Sequence, residues 1–175
     1  MELEDYIFEL ANGDIQAMGP LYKAASPSVY AFALSVLKNT QDVLQDTFVS
    51  IYTGAYSYRS NGKPMAWIMT IAKNHCYKLL KQRSRAESLD LEDWRDDPSL
   101  VTYMQSDAKL LIHHIMQSLS DQERQIVVLY AVSGFNHREI AALLNLALPT
   151  VLSKYNRAIK KLRIQLEKED DSYDK

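Results

Sequence analysis

Apolar residues recur every three or four positions along most of the 175-residue chain, and no stretch shows sustained alternation of apolar and polar side chains. The first spacing places apolar side chains on one face of an α-helix, whereas alternation would indicate a β-strand. Apolar residues make up 47% of the chain, which is enough for a packed core and argues against global disorder. The pattern therefore predicts an all-α protein.

Three helices are predicted in the N-terminal part. Ser26-Pro27 opens the first, because proline fits the first turn of a helix, where its missing N–H costs little. The second runs from about Asp42 to Ala55, and Pro64 opens the third after a polar loop at 56–63. Their inner faces carry the periodic apolar positions: Val29, Ala33, Val36 and Leu37, then Val43, Leu44, Thr47, Phe48 and Ile51, then Trp67, Ile68, Ile71, Ala72, His75 and Leu79.

Residues 86–106 interrupt the helical pattern. They are acidic, contain Pro98 and hold few periodic apolar positions, which is typical of a linker. The sequence therefore predicts two small helical domains, residues 1–85 and 107–168, joined by an acidic linker at 86–106 and followed by an acidic tail at 169–175.

The C-terminal part has the pattern of a helix-turn-helix. Ser120 and Glu123 form a capping box at a helix start, and Asn136 and Glu139 repeat that spacing. Asn145 suits a helix end, because asparagine tolerates the left-handed conformation found there. The turn after Asn145 would present the last helix outward. The predicted helices lie near 107–118, 120–132, 136–144 and 149–168.

The net charge of −2 conceals a strong segregation of charge along the chain. Residues 59–85 carry seven basic side chains and no acidic one, and residues 149–163 carry five basic side chains and no acidic one. Residues 1–58 and 86–107 are acidic. Solvated helix faces usually mix both signs, so this segregation indicates two basic faces suited to phosphates.

Both basic segments also carry side chains suited to bases. After Pro149 the outward positions are nearly all hydrogen-bond donors, and arginine and asparagine can contact base edges while lysine and serine contact phosphates. In the first segment, tyrosines lie among the charges, as in proteins that stack single-stranded bases. Trp67 lies on the packing stripe, but the sequence leaves open whether Tyr56 and Tyr58 are exposed. The outward set after Pro149 is Thr150, Ser153, Lys154, Asn156, Arg157, Lys160 and Lys161.

The sequence favours a protein with no catalytic site, metal or cofactor. The four histidines lack cysteine or carboxylate partners at metal-ligand spacing, and no glycine-rich phosphate loop is present. Cys76 is the only cysteine, which fits a reducing compartment. The N-terminus is acidic rather than signal-like, and no apolar run is long enough for a membrane span. We expect a cytoplasmic protein without a membrane span.

Four motifs, in order along the chain, resemble the extracytoplasmic-function (group IV) sigma-70 factors. Leu44-Gln45-Asp46-Thr47-Phe48 resembles part of the second conserved region, and Ala66-Trp67-Ile68 with Ile71-Ala72-Lys73-Asn74 resembles its "AWL…IARN" signature. Leu119-Ser120-Asp121-Gln122-Glu123-Arg124 resembles the "LPxxER" opening of the fourth region. Four further segments resemble the helix-turn-helix of that fourth region: Glu139-Ile140-Ala141, Thr150-Val151, Ser153-Lys154, and Arg157-Ala158 through Lys161-Leu162-Arg163.

The resemblance implies an RNA polymerase sigma factor whose partners are the bacterial core polymerase and promoter DNA. The polymerase β′ clamp helices would be contacted by Asp42, Gln45 and Asp46, and the C-terminal domain would dock on the β flap while its 149–163 helix binds the −35 element. Loop 56–63 would capture an extruded base of the −10 element. Family members are often held inactive by an anti-sigma factor, which is a further partner to consider. The implied −10 contacts are Tyr58, Arg59, Lys63, Lys73, Asn74 and Lys78.

The chain departs from the family pattern in places, and other functions compete. Only Thr40-Gln41-Asp42 lies between Asn39 and Val43, about three residues fewer than usual and nearly one helical turn. The usual turn glycine is Asn145, and the usual serine cap is Ala147. A helical adaptor that binds only protein would show no dependence on DNA or polymerase. An ordinary helix-turn-helix regulator usually dimerises, and the sequence has no clean heptad for that purpose.

Overall fold

The computed structural model describes residues 2–37, 40–86 and 116–173, and within these ranges the regular secondary structure is helical, without a β-strand. The chain divides into two units, Met1–Leu91 and Glu92–Lys175. This division falls inside the predicted linker, of which residues 87–106 lie outside the described residues. The all-α prediction is confirmed.

The N-terminal unit is a bundle in which α2, α3 and α4 pack against one another. It comprises α1 (Leu3–Ala11), a 3₁₀ turn (Ile15–Ala17), α2 (Met18–Val36), α3 (Gln41–Gly54), a second 3₁₀ turn (Ala55–Ser57) and α4 (Pro64–Ala86). Pro64 opens α4 as predicted, with the Lys63 carbonyl accepting from the amides of Ala66 and Trp67. The fully buried side chains of this core include Ile7, Leu21, Val29, Phe32, Val43, Ile51, Ile68, Met69 and Cys76.

The predicted start of α2 at Ser26-Pro27 is wrong. The helix begins at Met18, and Pro27 lies inside it on an exposed position. Proline there removes one backbone hydrogen bond, which costs stability. Leu21 and Ala25 are completely buried on the same helix as Val29. We infer that burial of the first half of α2 offsets the lost hydrogen bond, because a fully buried aliphatic side chain contributes about 1.5–3 kcal/mol.

The C-terminal unit comprises α5 (Asp121–Ala131), α6 (His137–Leu144) and α7 (Leu148–Tyr173). Ser120 with Glu123, and Asn136 with Glu139, form the two predicted capping boxes. Asn145 ends α6 in the left-handed conformation, with φ 54° and ψ 45°. These local predictions are confirmed, whereas the predicted helix at 107–118 lies largely outside the described residues.

An aromatic cluster and apolar contacts join α7 to α5 and α6. Val151 and Ala158 of α7 are fully buried. The ring centroid of Tyr155 lies 4.7 Å from that of His137 and 4.8 Å from that of Tyr130. The rings of Tyr130 and His137 stack with their centroids 4.9 Å apart. Aromatic pairs at such separations add about 0.5–1.5 kcal/mol beyond area burial. The contacts therefore fix the side of α7 that faces the unit.

An ion pair makes a further connection between α5 and α7. The Lys161 ammonium donates to the Glu123 carboxylate at 2.7 Å, and the same carboxylate accepts from the Ser120 amide at 2.9 Å. The Glu123 side chain is 2% exposed and that of Lys161 is 39% exposed. Burial raises the pKa of Glu123, but the bonds and charge of Lys161 and the Ser120 bonds outweigh it, so the pKa is lowered. Glu123 is therefore held as a carboxylate.

Two substitutions at Asn145 should show how much free energy its left-handed backbone conformation costs. Asn145→Ala should lower the free energy of unfolding of the C-terminal unit by about 1 kcal/mol, because a positive φ disfavours most side chains. Asn145→Gly should cost nothing, since glycine adopts this conformation readily. Hydrogen exchange of the α6 and α7 amides measures both effects, and equal exchange in the alanine and glycine variants would contradict this account.

Removal of the Lys161 ammonium should destabilise the C-terminal unit. Lys161→Met should lower its unfolding free energy by about 2 kcal/mol, because it leaves a buried carboxylate without its strongest donor. Lys160→Met is the matched control, since Lys160 is exposed, and should change stability little.

The stability contributed by this pair should also depend on pH. The lowered pKa of Glu123 means that the stabilisation is complete above the ordinary glutamate value of 4.5 and is lost as pH falls through the lowered value. Urea unfolding of the wild type and Lys161→Met at pH 7 and at a pH below the lowered pKa of Glu123 checks this. A difference between the two proteins that stays constant on acidification would show that the ion pair is not its cause.

Candidate nucleic-acid interface

The outward face of α7 carries most of the predicted −35 contacts. Ser153, Asn156, Arg157 and Lys160 are exposed, and Thr150 and Lys154 are half-buried. Spacings of three and four along a helix place side chains on one face, opposite the buried Val151 and Ala158 residues. The pattern of burial in α7 thus presents a polar, basic side to solvent.

The first turns of α7 also form an open depression. Its lining consists of Pro149, Thr150, Ser153, Lys154 and Arg157. The hydroxyl, ammonium and guanidinium groups of this lining are donors suited to phosphate oxygens, and guanidinium groups also suit the edge of guanine. A recognition helix contacts bases mainly with residues near its N-terminus, which is where this depression lies.

The basic side chains of this face are not neutralised by neighbouring acids. No carboxylate among the described side chains lies within ion-pair distance of Lys154, Arg157 or Lys160. Their charges therefore remain available to an anionic ligand.

Lys161 differs from Lys154, Arg157 and Lys160 of α7, because it has a carboxylate partner among the described side chains. The sequence predicts a DNA contact, but the Lys161 ammonium is bonded to the buried Glu123 carboxylate. Its position on the helix points it toward α5 rather than toward the exposed face. The structure therefore corrects this assignment: Lys161 contributes to the packing of α7.

A second basic surface lies on α4. Asn74 and Lys78 are exposed and Lys73 is half-buried, while Ala72 and Cys76 are fully buried on the other side. The remaining predicted loop contacts, Arg59 and Lys63, are exposed before the helix. His75, on the packing stripe, has its Nε2 atom 2.8 Å from Ser50 Oγ, so its ring is satisfied within the unit.

Tyr58 is buried, in contrast to its predicted role. Its side chain is 5% exposed, and its hydroxyl donates to Glu4 Oε1 at 2.6 Å. Burial, together with the hydrogen bond and charge of Glu4, raises the pKa of Tyr58 to about 12. A buried ring offers no surface on which a base can stack, so the assignment of Tyr58 as a DNA contact is corrected. Tyr56, at 75% exposure, is the accessible aromatic residue of the two.

The exposed face of α3 includes residues that the sequence pattern did not single out. Asp42, Gln45 and Asp46, the predicted polymerase contacts, are all exposed. Val49 and Tyr52 continue the same face at three-residue spacing and are 55% and 46% exposed. Their signal in the sequence is that both are apolar residues outside the inner stripe of the helix. The face therefore combines acidic and apolar side chains.

The described residues contain no metal-binding cluster and no helix suited to a membrane. No group of three or more histidine, cysteine, aspartate or glutamate side chains there could hold a metal ion. No helix in that part of the chain is long and apolar enough to span a membrane.

Two family models match the chain in separate places. The Sigma-70 region 2 model matches residues 21–86, and the Sigma-70, region 4 model matches residues 109–162. The first covers α2, α3 and α4, and the second covers α5 and α6 with the outward-facing part of α7.

Curated relatives extend across both matches. The chain is 27% identical over 157 residues to the RNA polymerase sigma factor CarQ of Myxococcus xanthus, covering 87% of this chain and 90% of the relative. It is 28% identical over 149 residues to the ECF RNA polymerase sigma factor EcfG of Rhodopseudomonas palustris (strain TIE-1), covering 79% of each.

Solved structures share the fold. The sigma factor RpoE in complex with the anti-sigma factor NepR from Bartonella quintana has a TM-score of 0.71 at 24% identity, covering 87% of this chain and 98% of that one. CnrH in complex with the cytosolic domain of CnrY has a TM-score of 0.65 at 22% identity, covering 94% and 96%. With both sigma-70 regions matched in order and ECF factors among its relatives, the chain belongs to the sigma-70 family and is an RNA polymerase sigma factor for promoter recognition and transcription initiation.

Proposed function

We propose that α7 binds the −35 element in the major groove and that the basic face of α4 and its preceding loop bind the −10 element. The observation that carries the proposal is the exposed face of α7, whose Arg157 and Lys160 have no carboxylate partner among the described side chains. Unpaired charges of this kind replace the counterions condensed on DNA, which supplies affinity.

Within α7 we assign different roles to different side chains. Arg157 and Asn156 suit base edges, because their donors can bond guanine and adenine in pairs. The remaining outward residues suit phosphates and fix the position of the helix in the groove. Those residues are Thr150, Ser153, Lys154 and Lys160.

At the −10 element, the exposed groups around α4 suit a single strand. Lys73, Asn74 and Lys78 supply charge and hydrogen bonds along α4, and Arg59 and Lys63 do so in the loop. Capture of an extruded base costs a few kcal/mol in lost stacking. Stacking on an aromatic ring returns about 1–3 kcal/mol per base, and Tyr56 is exposed enough to provide it.

We assign the exposed face of α3 to the core polymerase. Asp42, Gln45 and Asp46 would contact the β′ clamp helices, with Val49 and Tyr52 adding apolar area to the same surface. The C-terminal unit would contact the β flap. Because two structures of similar fold are complexes with anti-sigma factors or a cytosolic partner domain, an anti-sigma factor is a proposed partner as well.

The proposed organisation follows the predicted boundaries. Residues 1–85 form the region 2 domain, 86–106 the linker, 107–168 the region 4 domain and 169–175 the acidic tail; the matches at 21–86 and 109–162 support this division. We place the protein in group IV and in the cytoplasm, as a factor without catalytic activity of its own.

Reconstituted run-off transcription tests the proposed function. The purified full chain, added to bacterial core RNA polymerase and a library of promoter fragments from its source, should direct initiation from a subset that core enzyme alone does not use. Association with core enzyme without any change in template choice would favour the protein-binding adaptor instead.

Substitutions on α7 test the upstream contacts. In the holoenzyme, Arg157→Ala and Lys160→Ala should weaken binding to a selected promoter, and loss of a phosphate contact should reduce the slope of log K against log salt concentration by about 0.9. Lys168→Ala is the matched control, because Lys168 is an exposed lysine of α7 far from its first turns. An unaltered slope in Arg157→Ala and Lys160→Ala alike would mean that this face does not meet DNA.

A further inference from the structure

Tyr58 connects α1 to the loop that precedes α4. Its hydroxyl donates to Glu4 of α1 at 2.6 Å, and its ring lies 5.8 Å from Phe8 of α1 and 4.9 Å from Trp67 of α4. Glu4 and Phe8 are four residues apart, so they lie on one face of α1. One side chain thus joins two helices that are distant in sequence.

The loop at 59–63 is tied to the rest of the unit near both of its ends. All five of its residues are exposed, so packing does not fix it. At its far end the Lys63 carbonyl accepts from the first turn of α4, and Asn61 Oδ1 accepts from the Lys63 amide at 3.0 Å. At its near end the attachment is Tyr58, whose carbonyl accepts from the Arg59 guanidinium at 3.1 Å.

We propose that Glu4 and Tyr58 are positioning residues for promoter opening: α1, through the Glu4–Tyr58 hydrogen bond, holds the 59–63 loop where it meets the −10 strand. The inference rests on the proposed function of that loop. It also gives a role to α1, which lies before the segment matched by the Sigma-70 region 2 model at 21–86.

The physical basis is the stiffness of a part-buried, charged hydrogen bond. A hydroxyl bonded to a carboxylate at this distance forms a short, charge-assisted bond that is stronger than one between neutral groups. The burial of Tyr58 strengthens the bond further, because little water competes at its hydroxyl. The near end of the loop therefore has one defined position before DNA binds. Binding of the strand then costs less conformational entropy.

The experiment uses holoenzyme assembled from core polymerase and the full chain, on a promoter fragment that the wild-type holoenzyme transcribes. A 2-aminopurine base in the −10 element reports opening, and binding of the −35 duplex is measured separately. The variants are Tyr58→Phe, which keeps the ring, Glu4→Ala, and Glu4→Gln, whose amide oxygen still accepts a hydrogen bond. Glu9→Ala is the matched control, since it removes another carboxylate from α1 away from Tyr58.

Tyr58→Phe and Glu4→Ala should lower the opening equilibrium by about fivefold, the size of a typical hydrogen-bond contribution. Glu4→Gln, which keeps an acceptor but not the charge, should restore part of it, Glu9→Ala should match wild type, and −35 binding should be unchanged throughout. Unaltered opening in Tyr58→Phe and Glu4→Ala would overturn the inference. So would a parallel loss of −35 binding, or no rescue by Glu4→Gln. If no promoter fragment is found that the wild-type holoenzyme transcribes, the proposed function itself fails, and this outcome is distinct from those above.

Discussion

The orientation of the exposed basic face of α7 depends on how the opposite side of that helix is buried. Val151 and Ala158 are excluded from water, and the Tyr155 ring packs against both Tyr130 and His137. A rotation of α7 about its axis would expose this apolar area and bury basic groups without partners, and both changes are costly. The orientation of the outward face is therefore a consequence of the small core beneath it.

Within the described residues, the outward basic side chains of α7 lie apart from the acidic ones. The chain has 22 acidic and 20 basic residues, enough for extensive internal pairing. Glu123, however, is bonded to Lys161, whereas Arg157 and Lys160 have no carboxylate partner among the described side chains. The buried carboxylate thus stabilises α7 and leaves the charges of Arg157 and Lys160 exposed.

In the N-terminal unit, an aromatic residue is likewise bonded to a carboxylate of its own unit. Tyr58 stands at the edge of a polar loop, yet its ring packs against Phe8 and Trp67 and its hydroxyl is bonded to Glu4. Tyr56, two residues earlier, remains exposed. Tyr58 is therefore held within the unit by its packing and its hydrogen bond, whereas the Tyr56 ring is left accessible to solvent.

The sequence alone determined the helices from α3 to α7, the caps of α5 and α6 and the left-handed turn at Asn145, because these depend on residues three or four positions apart. It also determined which segments are basic, since charge needs no structure to be counted. It did not predict α1. The start of α2 and the directions of Tyr58 and Lys161 were decided by tertiary structure. The partners of Tyr58 and Lys161 lie 54 and 38 residues away, at Glu4 and Glu123. A local pattern identifies a polar side chain near the surface, but only packing between distant segments decides whether it faces solvent or a buried carboxylate.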